Sequence, residues 1–399
     1  MSRRAKHGCE TNPRLHRRGY EPGHGKSFRE VRTGSLSTRR GAPHLAPFFH
    51  TTLAAPGSLA TLRRMSWKVL VTARTFKDVG GPAMEALQSA GCEVVIPARF
   101  GPLPEPEILP LLDGVDAVLC SPDQYSSSVL NSTHAARLKI ISRWGVGYDS
   151  IDVAAATRLG IAVAYVPGLL NETVADYTFA MLLALARRVH EGHAWMAKGD
   201  WKIFWGSDVS GKTLGIIGCG RIGLAVARRA AGFNLRLLGC DVVPSPETEK
   251  LGVNMVSLDE LLAESDFVTL HAALTPQSKG MVGEKQLRRM KPSAFLINAG
   301  RGALIDEAAL VRALQEGWIA GAALDTFTKE PLPPDHPLRT APNVLLTPHL
   351  ASFARENGTR VSMAAAQSIL DLMNGRPPQS LVDPSVLSAP TLRATLRPL

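Results

Sequence analysis

Residues 214–231 read LGIIGCGRIGLAVARRAA, an apolar run, a turn with three glycines and an alanine-rich continuation. A strand that breaks into Gly218-Cys219-Gly220-Arg221-Ile222-Gly223 and continues as a helix fixes a β-α unit more tightly than any other stretch of the chain. Gly218 permits the tight turn, Gly220 lets backbone approach a pyrophosphate, and Gly223 lets the helix pack closely on the strand. The helix N-terminus then faces an anion with free N–H groups. Glycine turns also end ordinary strands, so the next element carries the weight. The strand expected at 235–240 ends at Asp241, 21 residues after Gly220, where a carboxylate can accept hydrogen bonds from a ribose. An Asp at that place is also a common turn cap. The two features in sequence point to a dinucleotide, and a carboxylate with no Arg across residues 242–246 favours NAD over NADP.

Around this unit the chain alternates β-branched runs with helical stretches. Strands are expected at 69–72, 93–96, 117–119 and 139–142, and again at 213–217, 235–240, 267–271, 294–298, 322–325 and 344–347. Such alternation implies parallel α/β sheets, and two series imply two doubly wound domains. Long helical patterns at 171–196 and 351–373 lie where the chain would cross between them. The boundaries read as follows: 65–168 the first part of a substrate domain, 169–348 a Rossmann NAD-binding domain inserted into it, 349–383 its C-terminal part, and 384–399 a loose tail.

Charge separates the remaining segment from this body. Of 45 Lys and Arg, 13 lie in residues 1–64, against 3 of the 35 Asp and Glu; what remains is balanced at 32 of each. The net charge of +10 therefore belongs to a Gly-, Ser- and Pro-rich extension that is expected to be disordered, and a plausible natural start falls at Met65. With a neutral body and no aromatic interleaving in the basic segment, a nucleic-acid partner is not expected. Five cysteines at wide, irregular spacing suggest neither a disulfide framework nor a metal site and fit a reducing, cytoplasmic setting. The longest apolar run, 179–186, is far short of a membrane span, so no membrane partner is expected either.

Further motifs follow: Gly145-Val146-Gly147-Tyr148-Asp149-Ser150-Ile151-Asp152, Asn298-Ala299-Gly300-Arg301-Gly302, Leu324-Asp325-Thr326-Phe327-Thr328-Lys329-Glu330-Pro331 and Thr347-Pro348-His349. With them the chain resembles the D-isomer-specific 2-hydroxyacid dehydrogenases over roughly residues 68–382. The resemblance implies a flavodoxin-like substrate domain around the Rossmann domain and a homodimer. It implies interconversion of a small D-2-hydroxy acid with its 2-oxo acid, and three catalytic residues: Arg301, Glu330 and His349. Their chemistry suits those roles. A guanidinium forks onto a carboxylate and polarises the neighbouring carbonyl. An imidazole titrates near neutral pH and so can pass a proton, and a carboxylate beside it fixes its tautomer. Singly each has a plainer reading, as a salt bridge, a loop carboxylate or a strand-end histidine; all three follow strands on the ligand-binding edge.

By the same resemblance the amides of Val146 and Gly147 take the substrate carboxylate. Arg221, Ile222, Thr275, Ala299 and Asp325 join Gly218, Gly220, Gly223 and Asp241 as cofactor contacts, although a glycine turn and a turn-forming Asp are the structural alternatives. One departure is Ala273, where the family commonly carries Pro, which removes stiffness from that loop. His190, His193 and His271 read as structural. Residues 120–126, CSPDQYS, hold no Lys or Arg for a phosphate, so an unphosphorylated acid such as glyoxylate or hydroxypyruvate is expected, with Arg143 nearby as a possible compensating cation. The alternatives are a phosphoglycerate dehydrogenase without a regulatory domain and, in another class, a nicotinamide-sensing corepressor-like binding protein.

Overall fold

The computed structural model describes residues 66–243 and 245–397, so the expectations for residues 1–64 and for Met65 lie outside the described residues. Among the described residues two parallel sheets form. The first contains β1 (Lys68–Val71), β2 (Glu93–Val95), β3 (Ala117–Cys120), β4 (Ile140–Arg143) and β5 (Ala162–Ala164), in the order β2-β1-β3-β4-β5. That is the flavodoxin-like order, which reverses between β1 and β3. The second contains β6 (Thr213–Ile217), β7 (Arg236–Cys240), β8 (Val253–Met255), β9 (Phe267–Leu270), β10 (Phe295–Asn298), β11 (Gly321–Leu324) and β12 (Val344–Leu346). Its order is β12-β11-β10-β9-β6-β7-β8, a Rossmann sheet extended by one strand, with its reversal between β6 and β9.

The strands are apolar because both faces of each sheet are covered. Val69, Val71, Leu119 and Ile140 pack on one side of the first sheet, and Leu70, Val118, Ile141 and Val163 on the other. The second sheet divides in the same way between Leu238, Val268 and Leu296 and Leu214, Ile216 and Ile297. Buried continuous runs of this kind are what a parallel sheet demands.

All ten expected strands form. Two more, β5 and β8, went unread: each is three residues long, Ala-Val-Ala and Val-Asn-Met, too short to show a period. The pattern at 171–196 forms two helices rather than one, α1 (Asn171–Ala186) and α2 (Val189–Ala197). The break sits at Arg188, whose φ of 54° is left-handed. There the Ser207 amide donates to the Ala186 carbonyl at 2.8 Å, while the Arg188 guanidinium grips Glu191 at 2.6 Å and lies over the Phe204 ring. The chain returning through residues 204–207 thus ends α1.

The second long pattern forms α3 (Arg355–Met373), which returns to the first sheet. Ser142 of β4 donates to the Ala365 carbonyl at 2.8 Å, the Trp144 indole donates to Ser362 at 2.9 Å, and Ala366, Ile369 and Leu372 enter the core beside β1 and β3. The segment after Pro384, expected as a loose tail, is packed instead. Val386 is buried, and the Arg393 guanidinium donates to the carbonyls of Ala135, Leu138 and Leu159 at 2.7–3.1 Å. No periodic pattern announces this, because beyond one 3-10 turn at Pro384–Ser388 the segment is held by single contacts, such as the Arg393 amide donating to the Gly160 carbonyl at 3.0 Å.

Candidate active site

A cavity of about 960 Å³ lies between the C-terminal edges of the two sheets, within the usual range of cofactor and substrate sites. Both sheets reverse their strand order at that edge, which opens the crevice. Of the residues singled out above, Val146, Gly147, Gly220, Arg221, Ile222, Thr275, Ala299, Arg301, Glu330 and His349 all line it. Gly218, Gly223, Asp241 and Asp325 do not.

Gly218 and Gly223 serve the turn from below. Gly218 has a φ of 92°, and a Cβ there would meet the Ala272 nitrogen at 2.4 Å; a Cβ on Gly223 would meet the Gly218 carbonyl oxygen at 2.1 Å. Gly220 has nothing within 4 Å of the corresponding position, which leaves open approach to the start of the helix Arg221–Ala230. Asp241 is drawn against the turn, its Oδ2 accepting from the Cys219 amide at 2.6 Å and its Oδ1 from the Val243 amide at 3.2 Å. An open glycine at a helix N-terminus with a carboxylate behind it fits a dinucleotide with a free ribose 2′-hydroxyl. The loop after β9 is held without the family's proline. Ser278 Oγ accepts from the Thr275 amide at 2.8 Å and donates to the Ala273 carbonyl at 2.7 Å, so a side chain supplies the order that Ala273 cannot.

His349 follows β12 with a φ of 56°, a conformation that costs a non-glycine residue about 1 kcal/mol or more. Asp325 holds it there. The carbonyl of Asp325 accepts from the His349 amide at 2.8 Å; its buried carboxylate accepts from Thr347 Oγ1 at 2.6 Å and from the Leu350 and Ala351 amides at 2.8 Å each. Asp325 therefore acts from beneath the wall, as the brace of the histidine loop. From the opposite sheet Arg74 donates to the His349 carbonyl at 3.0 Å and lies over the Phe353 ring.

The His349 ring is oriented by Glu330, with Nδ1 2.8 Å from Oε2. Oε1 of the same carboxylate accepts from the Phe327 amide at 3.0 Å. Burial alone would push the Glu330 carboxyl up; the hydrogen bond and charge of His349, with the Phe327 amide and the charge of Arg301, together hold the group below the ordinary carboxylate value. Glu330 is thus an ionised partner, and Nε2 is the nitrogen left for the cavity.

Arg301 stands on a turn shaped by buried Asn298, whose Oδ1 accepts from the Gly300 amide at 3.0 Å and whose Nδ2 donates to the Arg301 carbonyl at 2.9 Å. Its guanidinium reaches the first sheet, donating from Nε to Asp149 Oδ1 at 3.0 Å. His271, left as structural in the sequence, also lines the cavity. Burial pushes its imidazole down to about 4, and its Nε2 sits 2.9 Å from Thr269 Oγ1, so it is neutral near pH 7 and offers no second acid. Arg143 is buried in the wall, bonded to the Trp144 carbonyl and within 3.4 Å of that of Cys120. Arg74 was not singled out in the sequence and Asp149 stood there only within the Gly145–Asp152 motif, without a role, because the partner of each lies on the opposite sheet.

A dinucleotide turn facing a braced His–Glu pair and an arginine across one cleft is suited to hydride exchange with a small carboxylate-bearing molecule. The class is a two-lobed nicotinamide-dependent oxidoreductase. The profile described as "D-isomer specific 2-hydroxyacid dehydrogenase, NAD binding domain" matches residues 179–351. A glyoxylate reductase of Thermofilum pendens is 39% identical over 330 residues, covering 80% of this chain and 95% of that protein. One from Korarchaeum cryptofilum is 49% identical over 260 residues, 63% of this chain and 78% of that protein. Among solved structures, the TT0316 protein of Thermus thermophilus superposes with a TM-score of 0.72 at 40% identity, covering 79% of this chain and all of that one. The chain belongs to the D-isomer-specific 2-hydroxyacid dehydrogenases, and it is an NAD-dependent enzyme of that family.

Proposed function

We propose that the protein reduces a small unphosphorylated 2-oxo acid, glyoxylate or hydroxypyruvate, to the corresponding hydroxy acid, with Arg301, Glu330 and His349 as its machinery. The observation that carries this reading is the 2.8 Å His349–Glu330 contact in the same cleft wall as Arg301. When bound, NADH supplies the hydride that C2 accepts. Arg301 grips the substrate carboxylate and draws electron density from the C2 carbonyl. The Val146 and Gly147 amides, which among the described residues donate to no protein acceptor, add two donors for that carboxylate. His349 releases a proton from Nε2 to the carbonyl oxygen, and the ionised Glu330 on Nδ1 compensates the charge of the imidazolium beforehand. In this reading Gly218, Gly220, Arg221, Ile222, Gly223, Asp241, Thr275 and Ala299 hold the cofactor.

Two further observations support the substrate assignment. The similar archaeal proteins are described as glyoxylate reductases. Residues 120–126 carry no Lys or Arg, and Arg143 is buried in the wall with its guanidinium turned to the Trp144 carbonyl. The enzyme acts as a homodimer in this proposal, because α2 buries none of its residues and, with the segment after it, exposes the large apolar side chains of Val189, Met196, Trp201, Ile203 and Trp205.

The test is NADH and NADPH oxidation with glyoxylate, hydroxypyruvate and 3-phosphohydroxypyruvate. NADH should serve better than NADPH, and the two unphosphorylated acids better than the phosphorylated one. A preference of about a hundredfold for 3-phosphohydroxypyruvate, roughly 3 kcal/mol of discrimination, would overturn the substrate assignment.

A further inference from the structure

We infer that Asp149 is a positioning residue that fixes the guanidinium of Arg301 against the carboxylate-binding loop, so that one sheet aims the arginine carried by the other. The inference rests on the role proposed for Arg301. Asp149 follows β4 and Arg301 follows β10, 152 residues apart, yet Nε donates to Oδ1 at 3.0 Å. Nη1 donates to the Gly300 carbonyl at 3.0 Å. Nε is thus tied to the first sheet and Nη1 to its own loop, while Nη2 donates to no protein acceptor among the described residues.

Where Nη2 points is recorded by a glycine. A Cβ on Gly147 would lie 1.4 Å from it, so the free end of the guanidinium rests against the Gly147 α-carbon, beside the unpaired Val146 and Gly147 amides. Three donors for one carboxylate lie along that loop, and the Asp149 bond to Nε, on the same edge of the guanidinium as Nη2 and with Oδ1 itself 3.0 Å from that Cβ position, keeps Nη2 among them. Burial would push Asp149 up, but the charge and hydrogen bond of Arg301 hold its carboxyl below the ordinary carboxylate value. Asp149 therefore stays ionised at neutral pH and makes a constant acceptor. As a partly exposed ion pair it adds little to folding, so its use lies in aim.

Asp149→Ala and Asp149→Asn test this in the full chain, with glyoxylate as substrate, oxamate as a carboxylate-bearing competitor and NADH binding followed by fluorescence. Asp149→Ala should raise the KM for glyoxylate and the Ki for oxamate together, by about tenfold, with NADH affinity within about twofold of the parent. Asp149→Asn, whose amide oxygen still accepts from Nε, should recover most of the loss. Placed on Arg301→Ala, Asp149→Ala should add less than about a twofold effect, because its partner is gone. An unchanged KM in a folded Asp149→Ala, or the same factor with and without Arg301, overturns the inference. If Arg301→Ala itself leaves the KM for glyoxylate untouched, the proposed role of Arg301 fails and takes this one with it. If Arg301→Ala abolishes oxamate binding while Asp149→Ala is silent, only the role of Asp149 fails.

Discussion

Replacing Glu330 by Gln removes a charge from a nearly isosteric side chain and leaves an oxygen to accept from Nδ1. In the folded protein the carboxylate lies 2.8 Å from the ring, and the two side chains are 25% and 29% exposed. Opposite charges about 4 Å apart attract by about 1 kcal/mol in water and about 4 kcal/mol at an effective dielectric constant of 20. Partial exposure puts this pair between those limits, at about 2 kcal/mol. Oxidation of the hydroxy acid places a positive charge on the ring as it takes the proton, so Glu330→Gln should lower kcat/KM for glycolate oxidation by about thirtyfold, the factor that about 2 kcal/mol represents at roughly 1.36 kcal/mol per tenfold. The stability effect depends on pH. The Glu330 carboxyl is held below its ordinary value of 4.5, so its contribution is present above that value and is lost as pH falls through the lowered one. Initial rates of NAD reduction with glycolate by parent and variant at one pH provide the assay. A loss of less than about threefold would refute the claim that Glu330 acts through charge, leaving orientation alone.

Two further outcomes follow from packing. The intact chain should run as a dimer in light scattering, and Trp205→Asp should weaken the dimer by about thirtyfold or more, as expected when a large aromatic anchor is lost from an interface; a monomeric parent would remove the proposed partner. Arg393→Ala should lower stability to urea by about 2–3 kcal/mol, because the carbonyls of Ala135, Leu138 and Leu159 lose a charged donor in a half-buried place. A change below about 0.5 kcal/mol would mean that water replaces the guanidinium without loss.

The chemistry-bearing residues were legible because their motifs are local. Glycines at 218, 220 and 223 are dictated by a turn six residues long, and Arg301, Glu330 and His349 each follow a strand whose apolar run is unmistakable. What could not be read locally was the partner each of them meets. Asp325 reads as a cofactor contact or a turn former, yet its carboxylate braces a loop some 25 residues further on, and only the fold brings the Leu350 and Ala351 amides to it.

The sequence by itself determined two parallel α/β units, the dinucleotide turn and the candidate residues His349 and Glu330, since periodicity, glycine conformation and ionisable side chains act within a few residues. Only the tertiary structure decided where α1 ends, that the last residues are packed, and that Asp149 and Arg301 meet across the cleft. Those outcomes depend on groups from distant segments competing for the same hydrogen bonds, the Ser207 amide for the Ala186 carbonyl and Asp149 for Arg301 Nε. Which competitor wins is a property of the packed molecule and leaves no period in the chain.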